Sequence, residues 1–306
     1  MLKQRFATGV TVCFVVFGIL FFFPAWMHMF LLFAVFLLAQ MEFADMVRGT
    51  GHRYEWFATT VLGVLFLGAT ALETPLVRDL MERFPWTPPP MPAGRIDFSA
   101  LVLCLAPAVL LALGVLRRRT ERAMETFALS FAGFWYVAVL LSFLVRLAFE
   151  WKVYEDWHTN YTGRLMLLLF VVLVKSADIG GYAFGRLFGR HKLVPAVSPA
   201  KTWEGLLGCY VFSLLAGLAT WYVFHAFFRE EFGQIRFPLV HALVLPVLLA
   251  TTGLFGDLAE SLIKRSVGVK DSSSRFPGMG GILDILDSLL FSAPFMYAYV
   301  IWFFAA

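Results

Sequence analysis

Apolar runs about as long as a bilayer is thick recur from one end of this chain to the other. Crossing ~30 Å of hydrocarbon takes ~20 residues of α-helix. Nine segments approach that length: 6–23, 25–40, 56–72, 98–116, 127–145, 165–182, 206–228, 237–256 and 287–304. In hydrocarbon, backbone polar groups must be satisfied within the structure, which only helices and closed barrels achieve. A barrel requires short strands of alternating polarity, and these runs do not alternate. The expected fold class is therefore all-α, a polytopic integral membrane protein with about nine transmembrane helices. Composition agrees, with 60% hydrophobic and 15% charged residues, against about 25% charged in soluble domains.

The first two runs are separated only by Pro24, which can end one helix and open the next. If they form one kinked helix, the count falls to eight. The 18-residue run at 6–23 exceeds the ~7–15 residues of a signal-peptide core and is followed by no small-x-small site before Trp26, so it reads as a membrane helix. Cys13, Cys104 and Cys209 stand alone in apolar runs and read as packing residues.

Lys and Arg concentrate on the cytoplasmic side of membrane proteins. With the N-terminus inside, nine spans leave 17 basic residues in inner segments and 8 in outer ones. That orientation places the loops near 183–205 and 257–286 in the cytoplasm. "RRRTER" at 117–122 reads as an interfacial anchor, and "FPWTPPPMPAG" as an extended connector.

Charged groups at membrane depth are costly and mark pathways or sites. The first half of the chain is expected to keep its charges in loops, whereas the second carries Lys175, Asp178, Asp257, Glu260, Asp284 and Asp287 at or inside span ends. Residues 1–160 are thus expected to be a transmembrane scaffold, and 161–306 the helices that carry a site. Gly181, Gly185 and Gly189 form a small-residue stripe suited to close helix packing. Arg186 and Arg190 follow the same period and suit either an interfacial anchor or phosphate contact. "SPAKTW" predicts a helix start, with Ser198 as N-cap, Pro199 at N1 and Lys201 in the first turn. A lysine there opposes the helix dipole, and either answers a bound anion or snorkels to the interface.

In "GDLAESLIKRSVGVKDSSSRFPGMGGILDILDS", 256–288, Asp257 and Glu260 are three apart, as are Asp284 and Asp287. On a helix such pairs share a face and repel, so a positive partner is expected beside them. Two acidic pairs with four basic residues between them suit a cation held by carboxylates and phosphates held by Lys and Arg. The glycine-rich turn is neither a P-loop nor a dinucleotide fingerprint; its glycines allow unusual backbone angles and close approach.

The run "SLIKRSVGVKDSSSRFPGMGGILDILDS" resembles the signature of phosphatidate cytidylyltransferases, matching at Ser261, Lys264, Arg265, Lys270, Asp271, Pro277, Gly278, Gly280, Gly281, Asp284, Asp287 and Ser288. "DIGGYAFGRLFGRHKL" and "SPAKTWEG", with Asp178 and Lys201, are similar to a second block of that family. The resemblance covers about 178–288, and departs from the pattern at Met279 and Ile285, where the family has His and Arg.

The resemblance implies transfer of a cytidylyl group from CTP to phosphatidic acid, giving CDP-diacylglycerol and pyrophosphate in phospholipid biosynthesis. It implies catalytic roles for Asp178, Lys201, Asp257 and Asp284. Metal would be held by Asp257, Asp284 and Asp287, and substrates by Ser261, Lys264, Arg265, Lys270, Asp271, Gly280 and Gly281. Within that set, Lys201 is expected on the nucleotide phosphates, and Lys264 and Arg265 on the lipid phosphate. The cofactor implied is Mg2+, alone or with a second cation. The partners implied are CTP, phosphatidic acid, the bilayer and a second copy of the chain, with no nucleic acid. A bacterial-type inner or cell membrane with a cytoplasmic active site is the expected location. The alternatives are an ion-coupled transporter using the intramembrane aspartates and a CDP-alcohol phosphotransferase. The latter requires a DG-x2-AR run that this sequence lacks.

Overall fold

The computed structural model describes residues 18, 22–75, 77, 97–118, 120–150, 161–227, 237–276 and 278–304. Among them, eight helices are long and apolar enough to cross a membrane. The expected span at 6–23 and the proline-rich connector lie almost wholly outside the described residues. The chain divides into two compact units, Met1–Gly163 with Asp271–Leu283, and Arg164–Lys270 with Asp284–Ala306.

The first unit contains α1 (Ala25–Gly49), α2 (Trp56–Glu73), α3 (Phe98–Leu116) and α4 (Ala123–Phe149, π-helical over Phe134–Val139). Pro24 opens α1 with extended backbone, φ −67° and ψ 158°. The helix then runs nine residues past the expected end at 40. This corrects the expectation that the first half keeps its charges in loops, because Glu42 lies inside α1 with 0% exposure. Hydropathy alone ended the span before Glu42; burial against neighbouring donors lets the helix continue through it.

On α2, Thr59, Leu62, Gly63, Phe66, Leu67 and Thr70 form the buried face at helical spacing. Gly63 admits the Phe36 ring, whose Cε2 lies 2.6 Å from where a Cβ would stand. Only Ser99, Ala106 and Leu110 of α3 are buried. In α4 the π turn begins just after Gly133, against which Phe43 and Tyr54 are pressed. The wider turn buries Phe134, Tyr136, Val137, Ala138 and Val139 together.

The second unit contains α5 (Tyr161–Phe188) from Arg164 on, an antiparallel hairpin of β1 (Lys192–Val194) and β2 (Ser198–Thr202), then α6 (Trp203–Phe227), α7 (Leu239–Ser266) and α8 (Ile282–Phe304) from Asp284 on. Without a hydrophobic force between lipid-immersed helices, close packing at small residues holds them together. A Cβ on Gly180 would overlap the Gly208 carbonyl, and one on Gly208 the Gly180 carbonyl. A Cβ on Gly181 would stand 2.6 Å from Cys209 Sγ, and one on Gly256 2.8 Å from Phe291 Cβ. The expected glycine stripe is thus a packing seam, with Gly180 added to it. Cys209 is buried in this seam, whereas Cys104 is exposed.

The helix start predicted at Ser198 is overturned. Residues 198–202 form β2, with Lys192 opposite Thr202 and Val194 opposite Ser198. Pro199 is tolerated because a two-stranded hairpin has only edge strands. The cap is Thr202, whose Oγ1 accepts from Gly205 N–H at 3.1 Å, and the helix begins at Trp203. Glu204 closes the hairpin base, accepting from the backbone N–H of Arg190 at 3.1 Å and of His191 at 3.2 Å.

Candidate active site

Seven charged residues of the second unit line one cavity of about 480 Å³. From α5 come Lys175, Asp178, Tyr182 and Arg186, spaced to share one helix face beside Gly181 and Gly185. Lys201 and Thr202 come from the hairpin, Asp257 from α7, and Asp284 and Asp287 from α8. Four carboxylates therefore face three cations across a space lined at one wall by Leu206, Cys209 and Leu254.

The ion pairs explain how so many charges coexist. Lys175 Nζ donates to Asp178 Oδ2 at 2.9 Å and to Ser288 Oγ at 2.8 Å, and Ser288 Oγ donates to Asp178 at 3.0 Å. Lys201 Nζ meets Asp257 Oδ2 at 2.5 Å. Burial acts to lower the Lys201 pKa, but Asp257 and then Asp178 outweigh it, so the ammonium is held above its ordinary value. Arg186 donates to Tyr182 Oη at 2.7 Å with its guanidinium 5.9 Å from that ring centroid. Asp287 accepts from the Ser288 backbone N–H at 2.5 Å.

The two acidic pairs diverge in use. Asp284 and Asp287 both face the cavity. Asp257 faces it too, whereas Glu260 is 1% exposed and paired with Lys264 one turn on. Lys264 also reaches Asp284 Oδ1 at 2.5 Å, so it is the positive group that the 284/287 spacing anticipated. Its ammonium is engaged by two carboxylates.

The remaining expected residues lie off the cavity lining. Ser261 Oγ donates to Asp257 at 3.4 Å. Arg265 is exposed and donates to the Val269 carbonyl at 3.3 Å. Lys270 and Asp271 are exposed in the segment that follows α7. Gly280, at φ +91°, closes a tight turn in the first unit, where Phe276 N–H donates to its carbonyl at 2.9 Å. Gly281 sits under Glu42 and Ser272. Pro277 lies outside the described residues.

Two charged groups of the cavity lining, Lys175 and Arg186, were not among the expected site residues. Lys175 carries a readable signal, a Lys three residues before an Asp inside an apolar run. Glu42, on α1, lies off this cavity, and Asp45 stands three residues on from it.

The donor set fits a hard divalent cation. Among the described residues no group of three or more metal-ligating side chains is preformed. Mg2+ needs no such cage, binding through one or two carboxylates together with substrate phosphates and water. Asp257, Asp284 and Asp287 offer oxygen donors of that kind around one cavity.

The sequence model described as the cytidylyltransferase family matches residues 3–303. A phosphatidate cytidylyltransferase of Haemophilus influenzae is 30% identical over 310 aligned positions, 99% of each chain. One from Bacillus subtilis is 34% identical over 68% of this chain and 72% of its own. Another, from Pseudomonas aeruginosa, is 41% identical over 45% of this chain and 47% of its own.

Proposed function

The chain belongs to the cytidylyltransferase family, and on that premise we propose that it transfers a cytidylyl group from CTP to phosphatidic acid. The single observation that carries the reading beyond family membership is the cavity in which Lys175, Lys201 and Arg186 face Asp178, Asp257, Asp284 and Asp287. Two polyanions must meet for this reaction. Cationic side chains beside carboxylates that hold a divalent cation are what such a meeting requires.

An oxygen of the phosphatidate phosphate attacks the α-phosphorus of CTP. The bond to the bridging oxygen breaks and pyrophosphate leaves. The nucleophile needs no strong general base, because a phosphate monoester has its second pKa near ~6 and is ionised at neutral pH. Lys201 is held on β2 with its charge secured by Asp257, and in this reading it neutralises nucleotide phosphate. Arg186 extends over the cavity from α5 with its guanidinium aligned by Tyr182 and takes a second phosphate. Lys175 keeps Asp178 and Ser288 in place. Lys264 holds Asp284 toward the cavity. Asp257 and Asp284, with Asp287 beside them, would hold Mg2+. Bound there, it would supply positive charge to offset that of the phosphates and of the pyrophosphate leaving group.

The positive-inside count supports a cytoplasmic N-terminus and a cytoplasmic cavity, where CTP is available while the lipid substrate enters from the bilayer. A cell or inner membrane location and a homodimer belong to the same proposal. No observation among the described residues favours the ion-coupled transporter. The deciding experiment supplies purified protein with CTP, phosphatidate and Mg2+ and measures pyrophosphate and CDP-diacylglycerol. Turnover that Asp284→Asn abolishes in folded protein supports the reading; no turnover, where a control family member works, overturns it.

A further inference from the structure

Helix α8, which carries Asp284 and Asp287, begins without a side-chain cap of its own. The position before its first residue is Gly281, and the space a Cβ would fill there is taken by Glu42 Oε2 and Ser272 Oγ. Glu42 comes from α1, about 240 residues away in sequence, and is wholly buried. Its carboxylate accepts from Leu283 N–H at 3.1 Å, Ser272 Oγ at 3.0 Å and Ser273 Oγ at 2.8 Å, with Arg275 Nη1 at 3.5 Å.

These contacts have one physical sense. The first N–H groups of a helix lack intrahelical partners and carry partial positive charge. Glycine cannot satisfy them, and a buried carboxylate can. Conversely, a fully buried carboxylate is tolerated only where donors converge on it. Each side of the arrangement meets the other's need, and the missing Cβ of Gly281 is what lets them meet. The next residue after Leu283 is Asp284.

We propose that Glu42 is a positioning residue for cytidylyl transfer: it is the cap of α8, and it sets the register of that helix's first turn and hence the direction of Asp284. The proposal rests on the functional reading above, and adds a residue outside the signature motif. Glu42 touches no reacting atom in this account; it acts through the helix start.

The test compares wild type, Glu42→Gln and Gly281→Ala as purified full-length protein in detergent. Hydrogen–deuterium exchange of the amides at 282–288 reads the cap without any substrate. Both variants are expected to exchange faster there than wild type, while α5 amides are unchanged. With CTP and phosphatidate, kcat per folded molecule is expected to fall about 10–100-fold, as for groups that orient a ligand from behind. The Mg2+ concentration for half-maximal rate should rise, and KM for CTP should change little. Unchanged exchange at 282–288 in both variants overturns the cap. Faster exchange with wild-type kcat and Mg2+ dependence overturns the positioning role and leaves a merely structural one. If wild type itself transfers no cytidylyl group, the functional reading falls while the exchange result still decides the cap. Should Glu42→Gln not fold, Gly281→Ala, which displaces Glu42 without removing its charge, carries both measurements.

Discussion

Lys201 Nζ and Asp257 Oδ2 stand 2.5 Å apart, joining the β-hairpin to helix α7 at the edge of the cavity. The two side chains are about a quarter exposed, 28% and 26%, so water reaches the pair and substrate can compete for it. A lysine in this position can move from carboxylate to phosphate without crossing a desolvated gap.

Lys201→Gln is therefore expected to lower kcat/KM for CTP by about 100-fold or more, the scale of losing one electrostatic stabiliser of the transition state. The protein should remain folded, because the pair is partly solvated. Steady-state kinetics with thermal unfolding of the same preparations checks both statements.

The pH dependence follows from the sign of the Lys201 shift. Its folded pKa is raised above 10.5, so the stabilisation that its charge contributes is complete below that value. It is lost only as pH rises through the still higher folded value. The kcat/KM profile for CTP should show no alkaline limb from this residue below about pH 10. A limb near neutral pH that vanishes in Lys201→Arg would contradict the assignment.

The Glu260–Lys264–Asp284 cluster predicts a suppressor. Lys264→Met leaves two poorly solvated carboxylates facing each other, at 1% and 9% side-chain exposure. Breaking a buried pair this way costs about 3–5 kcal/mol. Adding Glu260→Gln to Lys264→Met removes one of the stranded charges and should recover part of that loss. A double-mutant cycle on thermal or denaturant unfolding in detergent measures the coupling.

Gly208→Ala and Gly114→Ala should behave oppositely. The first drives a methyl group into the Gly180 carbonyl and the Phe184 side chain, whereas the second meets nothing within 4 Å. The expected cost at Gly208 is at least the about 1–3 kcal/mol of core overpacking. At Gly114, within a helix, the change should be neutral or stabilising by up to about 1 kcal/mol. Melting temperatures of the two variants decide it.

Chelation is expected to abolish turnover, and Mg2+ to restore it. Because no three-ligand cluster is preformed among the described residues, Mg2+ should bind more tightly with CTP present than without. Calorimetric titration in both conditions measures this, and a tight site in the nucleotide-free protein would show that the carboxylates form a cage of their own.

Much of the molecule can be read from local chemistry. Eight of the nine expected spans correspond to helices among the described residues, because hydropathy over ~20 residues is a direct readout of the cost of crossing hydrocarbon. The spacing of Asp284 and Asp287, the glycine stripe of α5 and the buried Cys209 also have meanings that nearby residues disclose, whereas Cys104 is exposed and Cys13 lies outside the described residues. Span ends were less legible: α1, α5 and α7 run well past the point where polarity begins, since a charge with a partner can continue a helix that a lone charge would end.

What the amino-acid order alone determined is the membrane architecture and the stock of charges near the second-half span ends. The tertiary structure alone decided which donor each carboxylate meets: Asp257 the Lys201 ammonium, Asp284 the Lys264 ammonium, and Glu42 the backbone N–H of Leu283 at the start of α8. It also turned Ser198–Thr202 from a helix start into a strand, with Thr202 as the cap. The reason is range. Hydropathy and capping act within a few residues along the chain, whereas a buried charge is stabilised by whatever donor the fold brings within about 3 Å, and sequence separation has no bearing on that distance.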